Sequence, residues 1–351
     1  MAPLCATQKR LVMTLRERID VLVELGERLH TRKEELQPII QKTYFENRWF
    51  TETNCEKALD GIATHFLRKD KLQEWTSDYH FPPVINQISV GLILAGNIPM
   101  VGFHDVLAVF ISGNKSIIKL SDKDKHLIPL MIKWMGDIDS KTKDYFSFVD
   151  RLSSYDAVIA TGSNNTATHF EYYFKHVPSI IRKNRNAVAI LDGKESKDTL
   201  LELGRDVFDY FGLGCRNVSK IYVPKDYDFN FLMEVFHEYN ELVLHNKYKN
   251  NFDYNYAIFL LNQDPFLANG CIIVKETKDI ATRIAMLGYE YYENLPILVE
   301  ELTSRKDEIQ CIVSQNDVEG LQIIPPGKAQ QPHLSDYADG IDTLSFLLEL
   351  K

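Results

Sequence analysis

From residue 88 onward the chain alternates short apolar runs with amphipathic ones, and this limits the fold more than any other feature of the sequence. Residues 88–95, 116–120, 156–161 and 187–191 are apolar runs bounded by turn residues and read as buried strands. Residues 98–111, 126–135 and 165–175 carry helical spacing, the first ended by Ser112-Gly113. Short buried strands separated by helices imply an α/β fold with a doubly wound parallel sheet. In such sheets ligands bind at the carboxyl ends of the strands.

The flanking regions differ. Residues 7–76 place Leu11, Leu15, Ile19, Leu22 and Leu25 at helical spacing, which predicts two or three amphipathic helices closed by the turn His80-Phe81-Pro82-Pro83. Beyond residue 191 a second, less regular α/β unit is expected. It has helices at 200–210, 229–240, 280–286 and 295–305, and strands at 220–223, 256–261, 271–275 and 310–314. Residues 325–340 read as an extended surface loop and 344–350 as a closing element. The expected division is 1–191 for the helices and nucleotide-binding domain, 192–324 for the nucleophile-bearing domain and 325–351 for a closing segment. A chain of 351 residues is long enough for two cores.

Composition narrows the function. The formal charge of -9 argues against nucleic acid as the main partner. The five cysteines (Cys5, Cys55, Cys215, Cys271, Cys311) form no C-x-x-C pair, which fits a reducing cytoplasm better than a disulfide framework or a zinc site. No apolar run is long enough to span a bilayer, and the first residues lack a signal-peptide layout, so a cytoplasmic protein without membrane insertion is expected. The N-x-[ST] sequons at Asn164 and Asn217 are therefore read as chance, and no histidine spacing suggests a metal.

Four short segments carry chemistry. Cys215 follows Gly212-Leu213-Gly214 and precedes Arg216. Glycines admit close backbone approach, and a neighbouring cation lowers a thiol from about 8.5 toward neutrality. These are conditions for a nucleophile, although a cysteine at the start of a strand is also an ordinary small hydrophobe. Asn97, in Gly96-Asn97-Ile98-Pro99, fits either a helix N-cap or an amide donor at the end of a central strand. Lys119 and Ser121 end the second strand, where they suit a nucleotide ribose or plain solvent. Thr161-Gly162-Ser163 opens a helix and suits either a phosphate or a tight turn. Neither G-x-G-x-x-G nor a Walker sequence occurs.

Taken in order, these segments resemble the aldehyde dehydrogenase superfamily over roughly residues 90–223. Gly96-Asn97-Ile98-Pro99 is similar to its W-N-F-P segment, Lys119-Leu120-Ser121-Asp122 to K-P-S-E, and Thr161-Gly162-Ser163 to F-T-G-S. Phe211-Gly212-Leu213-Gly214-Cys215-Arg216-Asn217-Val218-Ser219, together with Asp336-Tyr337-Ala338-Asp339-Gly340, resembles more closely the acyl-CoA reductase (LuxC-type) branch. The resemblance implies an aldehyde-dehydrogenase-like fold, with a Rossmann-type nucleotide-binding domain and a second α/β catalytic domain.

It also implies NADPH-dependent reduction of an acyl-CoA, or of an acyl group on a carrier, to a fatty aldehyde. NADH is the other cofactor considered, since Asp122 opposes a 2′-phosphate while Lys123 favours one. Cys215 would be the acylated nucleophile, with Asn97 and the Cys215 N–H on the oxyanion. Lys119 and Ser121 would hold the adenosine ribose, with Thr161, Gly162 and Ser163 near the pyrophosphate. The superfamily's L-E-L-G-G-K glutamate has no counterpart in residues 179–185, which favours acyl reduction over a hydrolytic oxidation that needs a base for water. His104-Asp105 is a candidate acid/base pair. No oligomerising β-hairpin is evident before Asn97, so the oligomeric state stays open. Rival readings are a dehydrogenase of an acyl phosphate or small aldehyde, and a non-catalytic acyl-binding relative.

Overall fold

The structure is a computed structural model that describes residues 12–82 and 86–350. Leu11, Cys5 and Pro83 lie outside the described residues. The helical start is built from four helices where two or three were expected: α1 (Leu15–Thr31), α2 (Lys33–Glu46), α3 (Glu52–His65) and α4 (Lys69–Ser77). α1 opens on a capping box in which Thr14 and Glu17 exchange hydrogen bonds. Its stripe of Ile19, Leu22, Leu25 and Leu29 is buried.

The first sheet comes next. It is built from β1 (Ser89–Ile93), α5 (Phe103–Ser112), β2 (Lys115–Lys119), α6 (Leu127–Ile138), β3 (Phe146–Phe148), β4 (Ala157–Thr161), α7 (Asn164–Phe174) and β5 (Ser179–Arg182). Its strands are all parallel in the order β3-β2-β1-β4-β5. The winding reverses between β1 and β4, which leaves a crevice at their carboxyl ends. α5 starts at Phe103 and not at residue 98, because residues before it form a turn in which Met100 has a φ of 61°. Gly113, at φ 89°, caps the helix in the left-handed region as the sequence implied.

The second sheet is ordered β12-β11-β6-β7-β10-β9-β8. Along the chain it comprises β6 (Asn186–Ile190), α8 (Lys197–Phe208), β7 (Val218–Pro224), α9 (Phe229–Phe236), α10 (Asn246–Leu261), β8 (Leu267–Ala268), β9 (Ile273–Glu276), β10 (Met286–Tyr292), α11 (Leu295–Ser304), β11 (Ile309–Val313) and β12 (Ile323–Ile324). Only the β8–β9 pairing is antiparallel among the described strands. Finally α12 (Thr343–Glu349) returns to pack on α5.

Several expectations are corrected. The strand read at 187–191 as the fourth of the first sheet is β6, paired with β7 and β11 in the second. Periodicity identifies a buried strand but not its sheet. Residues 256–261 are the end of α10 and not a strand, since Tyr248, Phe252, Asn255 and Phe259 bury one helical face. A short apolar run alone does not separate the two states. Residues 280–285 are irregular and lead into β10, where a helix was expected. The segment 325–340 is not only a surface loop, because Ala329, Leu334 and Tyr337 are buried in it.

Candidate active site

Cys215 sits in a tight loop between α8 and β7. Tyr210, Phe211 and Gly212 all have positive φ, at 53°, 60° and 72°. Two consecutive non-glycine residues in this region cost energy, so the surroundings must hold them. Asn217 does much of this. Its side chain is buried, its Oδ1 accepts from the Gly214 N–H at 2.7 Å, and its Nδ2 donates to the Asp206 and Asp209 carbonyls, each at 2.9 Å. Lys57 of α3 pairs with Asp209, which ties the loop to the N-terminal helices.

A cavity of about 320 Å³ opens at Cys215. Its apolar wall includes Ile62, Phe66, Ile98, Met100 and Val101. Its polar lining includes His104, Arg182, Arg216 and Gln330. The thiol does not behave as the adjacent arginine alone would imply. Burial pushes it up, and Arg216 and Arg182 only partly offset that. The expectation of a net shift toward neutrality is corrected, because desolvation outweighs the neighbouring cations.

Asn97 is not a helix cap; Gly102 holds that place in α5. Its Nδ2 donates to the Leu213 carbonyl at 2.6 Å, two residues before Cys215. The turn carrying Asn97 is fixed by Asp124, whose carboxylate accepts from the Met100 N–H at 2.8 Å. Asp124 is buried, and burial pushes its pKa up to about 6.

The proposed His104–Asp105 pair does not form. Asp105 accepts from Arg182 Nη1 at 2.6 Å, whereas His104 Nε2 faces the Leu334 carbonyl at 2.9 Å. A carbonyl only accepts, so the imidazole proton is on Nε2. Burial pushes the His104 pKa down, which keeps the ring neutral.

Lys119, Ser121, Thr161, Gly162 and Ser163 come together at the carboxyl edge of the first sheet, at the ends of β2 and β4 on either side of β1. Gly96 lies so close to Ser121 that a Cβ there would stand 2.6 Å from the serine Cβ. Ser163 caps α7 by accepting from the Thr166 N–H at 3.3 Å, leaving an exposed helix N-terminus. That is a chemically fitting place for a dinucleotide phosphate.

The segment after β12 closes the cavity with Gly327, Gln330 and Ala338. Asp206, buried in α8, accepts from the Gly327 and Ala329 N–H groups at 2.7 and 3.0 Å. Arg216 Nη2 donates to the Asp336 carbonyl at 3.1 Å, and Arg185 pairs with Asp339 at 3.2 Å. Sequence reasoning missed Asp124, Asp206 and Asn217 as site supports. Asn217 lies inside a recognised motif, but the partners of the two aspartates lie far away along the chain.

No protein-family model matches the sequence, and no curated protein sequence matches it either. Solved structures do. A putative aldehyde dehydrogenase from Burkholderia cenocepacia is 14% identical, covering 90% of this chain and 79% of its own, with a TM-score of 0.67. Aldehyde dehydrogenase 21 from Physcomitrella patens, solved with its reaction product succinate, is 14% identical over 98% of this chain and 86% of its own, with a TM-score of 0.66. Aldehyde dehydrogenase C from Pseudomonas syringae, a mutant solved with NAD+ and octanal, is 13% identical over 87% of this chain and 73% of its own, with a TM-score of 0.63. The fold of the chain is aldehyde-dehydrogenase-like.

Proposed function

We propose that this protein reduces an acyl thioester, on coenzyme A or a carrier protein, to an aldehyde through an S-acyl intermediate on Cys215. The observation that carries this reading is the place of Arg182. It comes from the stretch where the superfamily's glutamate would lie, and it lines the same cavity as Cys215 with a guanidinium in place of a carboxylate. The cavity's carboxylates are Asp209, paired with Lys57, and Asp60, largely exposed on α3. The place of the superfamily's glutamate thus offers no carboxylate to activate water, which favours an acyl-enzyme left for hydride.

Attack by the Cys215 thiolate forms the carbon–sulfur bond, and the donor thiol leaves. A reduced nicotinamide, when bound, supplies the hydride. The thiohemiacetal then releases the aldehyde and the free Cys215. Lys119, Ser121, Thr161, Gly162 and Ser163 are the residues that would hold the dinucleotide. NADPH is favoured over NADH because Asp122 pairs with Lys125 at 3.3 Å, leaving Lys123 beside it to meet a 2′-phosphate. The aldehyde dehydrogenase from Pseudomonas syringae that was solved with NAD+ and octanal supports a nicotinamide and an aliphatic aldehyde.

Incubation with a labelled long-chain acyl-CoA, without nicotinamide, should leave label on Cys215 and none on Cys215→Ser. Equal labelling of the two would overturn the covalent route. A parent enzyme that labels but never oxidises NADPH or NADH would refute the reduction. The polar lining favours a second reading, an acyl phosphate as donor. Faster labelling by an acyl phosphate than by the acyl-CoA would support it.

A further inference from the structure

His104 keeps one ring nitrogen free. Its Nε2–H is spent on the Leu334 carbonyl at 2.9 Å, so Nδ1 carries a lone pair. No group among the described residues donates to that lone pair, and the atom is not sealed from solvent, since the ring is only partly buried. Phe66, Trp75 and Tyr337 stand around the ring at centroid distances of 5.5, 5.8 and 5.5 Å. The open space that His104 lines is the Cys215 cavity. The two residues also share Arg182 and Arg216 as charged neighbours. One cavity thus holds a thiol that must lose a proton and a neutral imidazole able to take one.

We infer that His104 Nδ1 is the base that takes the Cys215 proton during acyl transfer, with the Leu334 carbonyl holding the ring in place. The inference rests on the acyl-thioester reading above. A nucleophile, a base in the same site and a third group that orients the base are the parts of an activated nucleophile. Around His104 stand Asp105 on α5, Arg182 at the end of β5, Arg216 ahead of β7 and Tyr337 of the closing segment. Around Cys215 stand Arg216, Arg182, Asp339 and Cys311. Asp105 and the Leu334 carbonyl favour a charged ring, whereas Arg182, Arg216 and burial oppose it. The imidazolium is therefore short-lived, which suits a proton that is passed on.

The proton moves from Sγ to Nδ1 as the Cys215 sulfur bonds to the carbonyl carbon and the π pair shifts onto oxygen. When that pair returns, the bond between the carbon and the donor sulfur breaks. The departing thiolate takes the proton from Nδ1 and leaves as a neutral thiol. His104 is then neutral again, and Cys215 holds the acyl group. The later hydride step frees Cys215 as a thiolate, which regains its proton from solvent.

The rate at which an acyl-CoA acylates Cys215 is measured against pH, without nicotinamide. Burial holds the thiol above its ordinary value and the imidazole below its ordinary 6.5. With His104 as the base, acylation of the parent should reach a plateau with a midpoint below pH 6.5. His104→Gln should lose about 10²–10⁴-fold at pH 7 and regain about tenfold per pH unit as the thiol ionises. A parent rate that climbs with the thiol instead overturns the inference, and this profile decides the matter even if the variant does not fold. A His104→Gln deficit that stays constant across pH overturns it too, as does the same pH-dependent deficit in His65→Gln, another imidazole on the cavity wall. Loss of the acyl label to water in the parent, absent from His104→Gln, would make His104 a hydrolytic base and overturn both this inference and the reduction. If the parent is never acylated, the thioester reading itself fails.

Discussion

Asn97 and Leu213 join the two halves of the site: the Asn97 amide, at the carboxyl end of β1, donates to the Leu213 carbonyl at 2.6 Å. Gly214, next to Leu213, packs against Ile98, and a Cβ on it would stand 3.5 Å from the Ile98 Cδ1. The Cys215 loop of the second sheet is thus seated on the turn that follows the central strand of the first. Replacing Asn97 by alanine should slow acylation of Cys215 and destabilise the protein by about 1 kcal/mol. Stopped-flow acylation and urea denaturation measure the two effects, and a mutant that matches the parent in both would remove Asn97 from the site.

Asn217 should matter for stability more than its membership of the Cys215 motif suggests. Asn217→Ala strands the Gly214 N–H and the Asp206 and Asp209 carbonyls, all satisfied by one side chain in the parent. A loss of about 2–3 kcal/mol is expected. In urea it should appear as a lower midpoint with an unchanged slope.

Gly96 separates cofactor binding from thiol chemistry. In Gly96→Ala the new methyl would crowd Ser121 and drive apart the ends of β1 and β2. Affinity for the nicotinamide dinucleotide should fall by roughly tenfold, about 1.4 kcal/mol. Acylation of Cys215 in the absence of cofactor should fall by a smaller factor. Equilibrium titration of cofactor fluorescence and single-turnover labelling read the two quantities separately.

The stability contributed by Asp206 and Asp124 should fall as the pH rises through the acidic range. Burial pushes Asp206 up to about 7 and Asp124 up to about 6, both above the ordinary aspartate value near 3.8. Between pH 4 and 7 the folded state therefore holds protons that the unfolded state has lost. The contribution of these groups to the slope of unfolding free energy with pH is then negative, at most about 1.4 kcal/mol per pH unit for one group. These two groups contribute full stability below about pH 4, lose it as the pH passes their folded values, and add no further slope above about pH 7. Asp206→Asn should flatten the upper part of this trend in urea midpoints taken at several pH values, and an unaltered slope would disprove the assignment.

The sequence made the site legible where its chemistry is local and hid it where the chemistry is distant. Cys215, Asn97 and the Thr161-Gly162-Ser163 turn each sit at a strand end within a few residues of their own signals. The carboxylates that hold the site work at a distance: Asp206 grips Gly327 and Ala329 more than a hundred residues later. No periodicity registers such a pair. The same limit placed β6 in the wrong sheet, since its burial was plain but its partners β7 and β11 follow it in the chain. The net upward shift of the Cys215 thiol was hidden for a related reason. Arg216 is visible as a neighbour, whereas desolvation depends on everything packed around it.

The walls of the Cys215 cavity come from α3, the turn after β1, α5, the end of β5, α8 and the loop before β7, β11, and the segment between β12 and α12. These stretches run from Lys57 to Ala338, so no contiguous fragment of modest length contains a finished site. On a ribosome, the first sheet and the Cys215 loop emerge well before the residues that cover them. The stretch that Asp206 grips at Gly327 and Ala329 comes after every other wall of the cavity in chain order. A copy cut before residue 327 would keep Cys215 but lack the wall that Gly327, Gln330 and Ala338 supply.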